Sequence, residues 1–493
     1  MKYISTRDSA LHISAAEAIS RGLSHDGGLF VPESLPELKL DAVEKLIPLA
    51  YAERAAYIMK MFLEDFTESE LRDFTTKAYS AEKFDHPQVA PVHSIDGTTH
   101  FLELWHGPTS AFKDMALQML PHFLTASLTK TGETRRACIL VATSGDTGKA
   151  ALEGFRDVPN TRIMVFYPRD GVSEVQKKQM TTQEGANVGV TSVEGNFDDA
   201  QSGVKAIFSD EQLRDELSGK GWFLSSANSI NWGRLLPQIV YYYSAYCDLV
   251  KSGAIKLGDA INFCVPTGNF GNILAGYYAK KMGLPIAKLL CASNRNFVLD
   301  TFIKSGTYDL RTRKFHTTTS PSMDILVSSN LERLIFDLSG NDSKYTASKL
   351  KNKKYYKVND KIRAKLHETF VGGHCDDART KDTIADVFAK HKYLIDTHTA
   401  VALAVLNDYR KDTGDNTQTV VVSTASPFKF CDAVLDALGK LGSETGLDLV
   451  DKLAEVTGNP IPAPLASLRG KPERFTDCVA KTELLGAVRD FLK

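Results

Sequence analysis

With 493 residues the chain is long enough for two or three domains and a large buried core. Its 59 Lys and Arg nearly balance 60 Asp and Glu, so no global charge argues for nucleic acid or an anionic membrane, and small polar metabolites fit better as ligands. The seven cysteines are scattered, with no CxxC pair, and read as buried thiols in a reducing compartment. Residues 1–9 carry neither an apolar secretory core nor a transit pattern, and no run approaches the ~20 apolar residues of a membrane span. A soluble, cytoplasmic protein is expected.

Residues 1–100 read as a mostly helical preface, with helical spacing over 15–22, 42–60 and 68–78 and no evident chemistry. The next stretch, Trp105-His106-Gly107-Pro108-Thr109-Ser110-Ala111-Phe112-Lys113-Asp114, follows a Gly-Pro turn and opens the apolar helical run 115–124. Ala111, Phe112, Met115, Ala116 and Leu117 exclude water from Lys113 and favour its neutral amine, which can form a Schiff base. The same stretch also reads as a helix start, with Thr109 or Ser110 as cap and Lys113 an ordinary first-turn residue.

From residue 136 strands alternate with helices. Strands are predicted over 137–142, 162–167 and 188–193, helices over 149–155, 172–184 and 198–208, and this order predicts a parallel, doubly wound sheet that closes near Ser225. A second α/β series starts at 222–225 and continues with the helix 230–251, strands 261–265, 287–292 and 419–423, and helices 272–282 and 430–441; its strands are expected to share one sheet. The segment 340–360 is rich in lysine and tyrosine. It reads as a solvated insertion, with nucleic-acid contact the less economical alternative.

Three loops are anion-receptive. Pro266-Thr267-Gly268-Asn269-Phe270-Gly271-Asn272 joins a buried strand to a helix, and its glycines let amides at a helix start approach a phosphate. It lacks the Walker lysine and the third glycine of a dinucleotide fingerprint. Thr143-Ser144-Gly145-Asp146-Thr147-Gly148 offers hydroxyls and amides to a carboxylate, although Asp146 repels an anion unless it points away toward a donor. Ser226 to Asn231, followed by Arg234, gathers small polar groups and an arginine fit for a phosphate ester. Each loop also reads as a capped βα turn. Together with Lys113 they supply what a pyridoxal phosphate enzyme needs: an amine, a cofactor phosphate cradle, a carboxylate loop and a partner for the pyridine nitrogen.

In order and spacing, the Lys113 stretch, 143–148, 226–234 and 268–272 resemble threonine synthase. Ser320-Pro321-Ser322-Met323-Asp324 and Ser423-Thr424-Ala425 resemble its long bacterial and fungal branch. The resemblance implies the fold type II (tryptophan synthase β-like) architecture, with two doubly wound α/β domains and a helical N-terminal domain over 1–100. A larger cofactor domain is expected over 101–135 and 226–493, with 340–360 as an insertion, and a smaller one over 136–225. It implies pyridoxal 5'-phosphate as cofactor, Lys113 as the Schiff-base lysine, Gly268, Asn269, Phe270, Gly271 and Asn272 around the cofactor phosphate, and Thr424 at the pyridine nitrogen. Thr143, Ser144, Gly145, Asp146 and Thr147 would take the carboxylate of O-phosphohomoserine. Ser229, Asn231 and Arg234, with Lys177 or Arg169, would take its phosphate.

The implied reaction adds water and yields threonine and phosphate. A phospholyase giving a 2-oxo acid, or a non-catalytic relative, remains the alternative, and the chain is read as monomer or homodimer. One departure stands out: Ser426 occupies a position where the family usually has histidine, with His106 as an alternative imidazole.

Overall fold

The computed structural model describes residues 1–143, 145–169, 172–352 and 354–493. The chain opens with an antiparallel pair, β1 (Tyr3–Ser5) and β2 (Phe30–Pro32), and the helices Ala15–Arg21, Leu40–Leu46, Tyr51–Lys60 and Glu68–Ala78. The single helix expected over 42–60 is two, because Pro48 in the break has no N–H to continue the ladder.

The larger sheet contains the antiparallel edge strand β3 (Val92–Ser94) and β4 (Thr99–Glu103). The second sheet is built from β5 (Arg136–Ala142), β6 (Thr161–Pro168), β7 (Val188–Glu194) and β8 (Trp222–Ser225). The chain then returns to the first with β9 (Ile261–Pro266) and β10 (Ile286–Ser293), makes a small antiparallel pair from β11 (Thr307–Asp309) and β12 (Tyr355–Lys357), and adds β13 (Phe370–His374) and β14 (Thr419–Ser423). The last strand is β15 (Cys478–Ala480).

The larger sheet runs β13-β10-β9-β14-β4-β3, parallel except for β3, and the smaller runs β15-β7-β6-β5-β8, parallel throughout. Alternate residues feed opposite cores. Phe263, Val265, Val420 and Val422 face the core shared with the N-terminal helices, whereas Cys264 and Val421 face the core beneath the helix Thr397–Thr413. In the smaller sheet Ile139 and Val141 face one layer, Cys138 and Leu140 the other. Burial on both faces explains why these strands read as continuous apolar runs.

Two expectations are corrected. Trp222–Ser225 does not open the second α/β series; it pairs in parallel with β5 and completes the smaller sheet. Nor does everything after residue 226 belong with the larger sheet: β15 pairs with β7, and the helix Leu484–Phe491 packs on the smaller sheet through Leu484 and Val488. Gly189 in β7 is what admits Phe491, since a Cβ there would lie 2.9 Å from its ring. Six cysteines are buried, but Cys478 on β15 is exposed. In the 340–360 segment Tyr356 is buried and stacks on Tyr308 at 4.9 Å, so it is not free to stack on a base; Lys353 lies outside the described residues. Among the described residues no helix is long and apolar enough to cross a membrane.

This topology positions the site. In each sheet the strand order reverses once, between β9 and β14 and between β5 and β8, and the crevice at such a point is where ligands bind in open α/β sheets. The loops after all four of these strands are the anion-receptive loops and the Thr424 loop.

Candidate active site

Lys113 lies past the end of β4, on a tight turn that the sequence builds from both sides. Asp114 folds back so that its carboxylate accepts from the Thr109 amide at 2.8 Å and the Thr109 hydroxyl at 2.7 Å. Burial pushes this carboxyl up to about 6, against the pull of the Thr109 donors. Gly107 is required because a Cβ would sit 2.6 Å from Asp114 Oδ2. The turn is stitched to the loop after β14, with Phe112 N–H donating to the Thr424 carbonyl at 2.8 Å and Ser426 N–H to the Ser110 carbonyl at 3.1 Å. Thr109 and Ser110 do not cap the helix Asp114–Leu117.

The Lys113 side chain is buried, with Nζ 4.9 Å from the Phe112 ring centroid, 3.2 Å from Ser322 Oγ and 3.4 Å from Asp146 Oδ2. Its pKa falls, first because burial disfavours the ammonium and then because Lys429 and Arg234 repel it, although Asp146 pulls the other way. Asp146 is held strongly as a carboxylate despite its burial, by Lys429, Lys113 and Gln176. The water exclusion expected from the flanking sequence is therefore present.

Asp146 points away from the loop's anion face. Its Oδ1 pairs with Lys429 at 2.6 Å and accepts from Gln176 at 2.8 Å, while Oδ2 faces Lys113 and Ser322. With both oxygens used and a negative charge of its own, the Asp146 side chain is not a receptor for the substrate carboxylate, which leaves only its backbone amide for that role. Thr143 is similarly spent: its hydroxyl accepts from Gly145 N–H at 3.0 Å and Gly148 N–H at 2.9 Å. Gly145, at φ 140°, leaves room for the Gln176 amide, which a Cβ would approach to 2.5 Å. Thr147 is half-buried at the start of the helix Asp146–Phe155, where the first two amides, at 146 and 147, precede the first with an intrahelical acceptor. Ser144 lies outside the described residues.

The Gly268–Asn272 turn sits against the Ser320–Asp324 segment. A Cβ on Gly268 would lie 2.6 Å from the Ser322 carbonyl oxygen. Phe270 takes the left-handed conformation at φ 64°, which turns successive amides to one side in a concave anion cradle. Asn269 is exposed, and its carbonyl accepts from Asn330 N–H at 3.1 Å. Gly271 starts the helix Gly271–Lys281. Asn272 is the most informative member: its Oδ1 accepts from Tyr241 Oη at 2.6 Å and Tyr242 Oη at 2.8 Å, while its buried Nδ2 has no partner among the described residues. A buried amide with one end fixed and the other orphaned fits an acceptor supplied by a ligand.

The third loop divides. Asn231 caps the helix Trp232–Ser252, accepting from Gly233 N–H at 2.8 Å and donating to the Ile19 carbonyl at 3.0 Å, so both ends of its amide are spent and it is not free for substrate. Arg234 is buried and donates through Nη1 to the Ala227 carbonyl, but its Nε has no partner among the described residues, and burial lowers its pKa to about 10. Ser229 accepts from Asn330 Nδ2 at 3.3 Å. Lys177 is exposed, and Arg169 pairs with Glu194 at 3.4 Å.

Ser426 accepts from Phe428 N–H at 3.3 Å and caps the turn that carries Lys429, a structural use of the position. His106 is no substitute imidazole. Its two nitrogens pair with Asp85 at 2.6 Å and Glu103 at 2.8 Å, and the ring stacks on Trp105.

Four residues given no role from sequence belong to this site: Gln176, Ser322, Lys429 and His398. His398 is buried, contacts Asp396 through Nδ1 at 2.6 Å and accepts the Ser322 N–H through Nε2 at 3.1 Å, which holds Ser322 toward Lys113. Lys429 carried a legible signal, a lysine between Phe428 and Phe430, the same apolar setting that marked Lys113.

A buried lysine amine, a glycine-lined anion cradle beside an orphaned amide, and two sheets meeting at their switch points define a pyridoxal-phosphate-dependent enzyme. A family model described as "Pyridoxal-phosphate dependent enzyme" matches residues 93–425. Two more, "Threonine synthase N terminus" and "Threonine synthase, C-terminal", match 2–79 and 399–491, and the chain belongs to the threonine synthase family.

Threonine synthase of Pseudomonas aeruginosa is 41% identical over 441 residues, covering 88% of this chain and 90% of that protein. Human threonine synthase-like 1 is 40% identical over 457 residues, and the chain spans 60% of its length. The crystal structure of PLP-bound threonine synthase from Brucella melitensis superposes with a TM-score of 0.88 at 37% identity, with both chains covered completely.

Proposed function

We propose that this chain converts O-phosphohomoserine and water to L-threonine and inorganic phosphate, with pyridoxal 5'-phosphate bound at Lys113. The observation that carries this reading is the placement of a buried Lys113, its pKa lowered by that burial, with an Asn272 Nδ2 that has no partner among the described residues beside the glycine turn. Gly268, Phe270, Gly271 and Asn272 would hold the cofactor phosphate edge, and the Thr424 hydroxyl, on the loop bonded to Phe112, would meet the pyridine nitrogen. When bound, the cofactor supplies an electron sink that acidifies the substrate's α and β protons.

The chain's own groups do the rest. Lys113 Nζ, once released by the incoming amino acid, takes the proton from the substrate's α-carbon, and Ser322 Oγ at 3.2 Å holds the free amine in place. The first-turn amides at 146 and 147, with the Thr147 hydroxyl, bind the substrate carboxylate. Arg234, through its unsatisfied Nε, and Ser229 draw the phosphate that departs from the γ-carbon before water adds at the β-carbon. Assay of the purified chain on O-phosphohomoserine, resolving threonine from 2-oxobutyrate, tests the reading. Threonine with stoichiometric phosphate is expected, and 2-oxobutyrate as the main product rejects it in favour of a phospholyase.

A further inference from the structure

Lys429 is the least expected group in the site. It is fully buried, on the turn Pro427–Lys429, and its ammonium lies 2.6 Å from Asp146 Oδ1 and 2.9 Å from the Thr109 carbonyl. Its anchorage is rigid: Ser426 caps the turn from one side, and the Ser426 N–H is bonded to the Ser110 carbonyl. Lys113 reaches the same carboxylate from the other side at 3.4 Å, with a hydroxyl, Ser322 Oγ, as its nearer neighbour.

The charges facing Lys113 are few. Asp146 comes from the smaller sheet's helix, Lys429 from the loop after β14, and Arg234 from the helix Trp232–Ser252. On its own element Asp114 is turned back to Thr109, where it also faces Lys429, and His398 contacts Asp396 and the Ser322 backbone. Among the described residues the Asp146 carboxylate is thus shared by two lysines, with Arg234 as a further cation nearby. A low-dielectric site disfavours two ammoniums on one carboxylate, and the one with the longer contact and a neutral alternative partner is the one that yields its proton.

We propose that Lys429 is a positioning residue that reserves the charge of Asp146 for itself, so that Lys113 is the amine of the pair that is deprotonated and ready to take the cofactor. The proposal rests on the reading of Lys113 as the cofactor lysine. In it the Lys113 proton passes to solvent, and Lys429 stays on Asp146 throughout. The arrangement also ties the two sheets together across the crevice.

The test is the pH dependence of cofactor capture by the full chain stripped of cofactor, followed by the absorbance of lysine-bound pyridoxal phosphate and independent of turnover. In Lys429→Met, Asp146 loses its nearer partner and pairs with Lys113, whose ammonium is also relieved of a like charge. The midpoint is expected to move up by about 1 pH unit or more. Lys429→Arg keeps the charge and is expected to leave the midpoint near wild type. Asp146→Asn is expected to move it down.

A folded Lys429→Met protein with an unshifted midpoint overturns the proposal. If that variant does not fold, an unshifted or raised midpoint in Asp146→Asn overturns it instead. Failure of the wild-type chain to capture pyridoxal phosphate at any pH overturns the Lys113 reading itself, a result distinct from an unshifted midpoint.

Discussion

Phe112 donates its amide to the carbonyl of Thr424 at 2.8 Å, so the residue before the site lysine and the loop after β14 form one backbone unit. Residues 312 positions apart in sequence are thereby fixed without any side chain, which leaves the Lys113 and Thr424 side chains free to face a ligand.

Lys113→Ala is expected to fold, since a truncated lysine leaves space beside Phe112 without burying a new charge, and to lose both the absorbance of bound cofactor and threonine formation. Loss of a general base alone lowers turnover by about 10²–10⁴. Far-ultraviolet circular dichroism beside a threonine assay checks this, and retention of more than a tenth of wild-type turnover is incompatible with the assignment.

Tyr241→Phe and Tyr242→Phe each remove one hydroxyl from Asn272 Oδ1. Each neutral hydrogen bond contributes about 1 kcal/mol, so each variant should weaken pyridoxal phosphate binding by about fivefold, with a larger effect when combined. Equilibrium titration of stripped protein measures it. Unchanged cofactor affinity in the double variant shows that the orientation of the Asn272 amide is immaterial.

Phe270→Gly sets two effects against each other. Glycine relieves a left-handed φ of 64°, worth about 1 kcal/mol, but removes a ring that is 1% exposed and packed on Phe370, at a cost of about 3–4 kcal/mol. Packing wins, and a net destabilisation of about 2–3 kcal/mol is expected in denaturant melts. A more stable variant would mean that strain in the cradle outweighs its packing.

His106 gives the fold a pH signature. Burial lowers its pKa, but Asp85 and Glu103 outweigh burial and raise it to about 9. A folded pKa raised above the unfolded value, ~6.5, contributes stability that is full below about pH 6.5 and lost as pH rises through about 9. His106→Gln should therefore destabilise most at pH 6 and little at pH 9.5. Because Asp85 is 45% exposed, screening limits the effect to about 1 kcal/mol. Denaturation midpoints at the two pH values decide it, and an equal loss at both removes the charge from the explanation.

The legible part of this fold is the part that is buried on both faces. The runs 137–142, 261–265 and 419–423 read as buried strands of a parallel sheet, and they are, none of them at a sheet edge. β13 was invisible because Gly372 and Gly373 interrupt it. Both glycines are demanded by tertiary contacts, with a Cβ at 372 meeting the Asp300 backbone at 3.0 Å and one at 373 meeting Val405 at 2.5 Å. β15 was missed because three residues, one exposed and two half-buried, carry no periodicity and take their strand from β7.

At the site, the loops were readable but the destinations of their side chains were not. Asn231 and Thr143 look like ligand groups, yet each is consumed by its own turn, as short polar side chains next to helix starts often are. Asp146 looked misplaced until Lys429, 283 positions away, supplied its countercharge.

The pairing of β15 with β7 also sets a timetable. During synthesis β7 is made with its outer edge open, and the strand that covers it follows roughly 280 residues later, a delay of ~15–55 s at ~5–20 residues per second. Over that interval the Ser192–Glu194 end of β7 offers unpaired amides and carbonyls to any neighbouring chain. Newly made molecules crowded on one message are therefore most exposed to mispairing at this edge, and a soluble peptide spanning 478–491, added during translation, should raise the yield of folded chain.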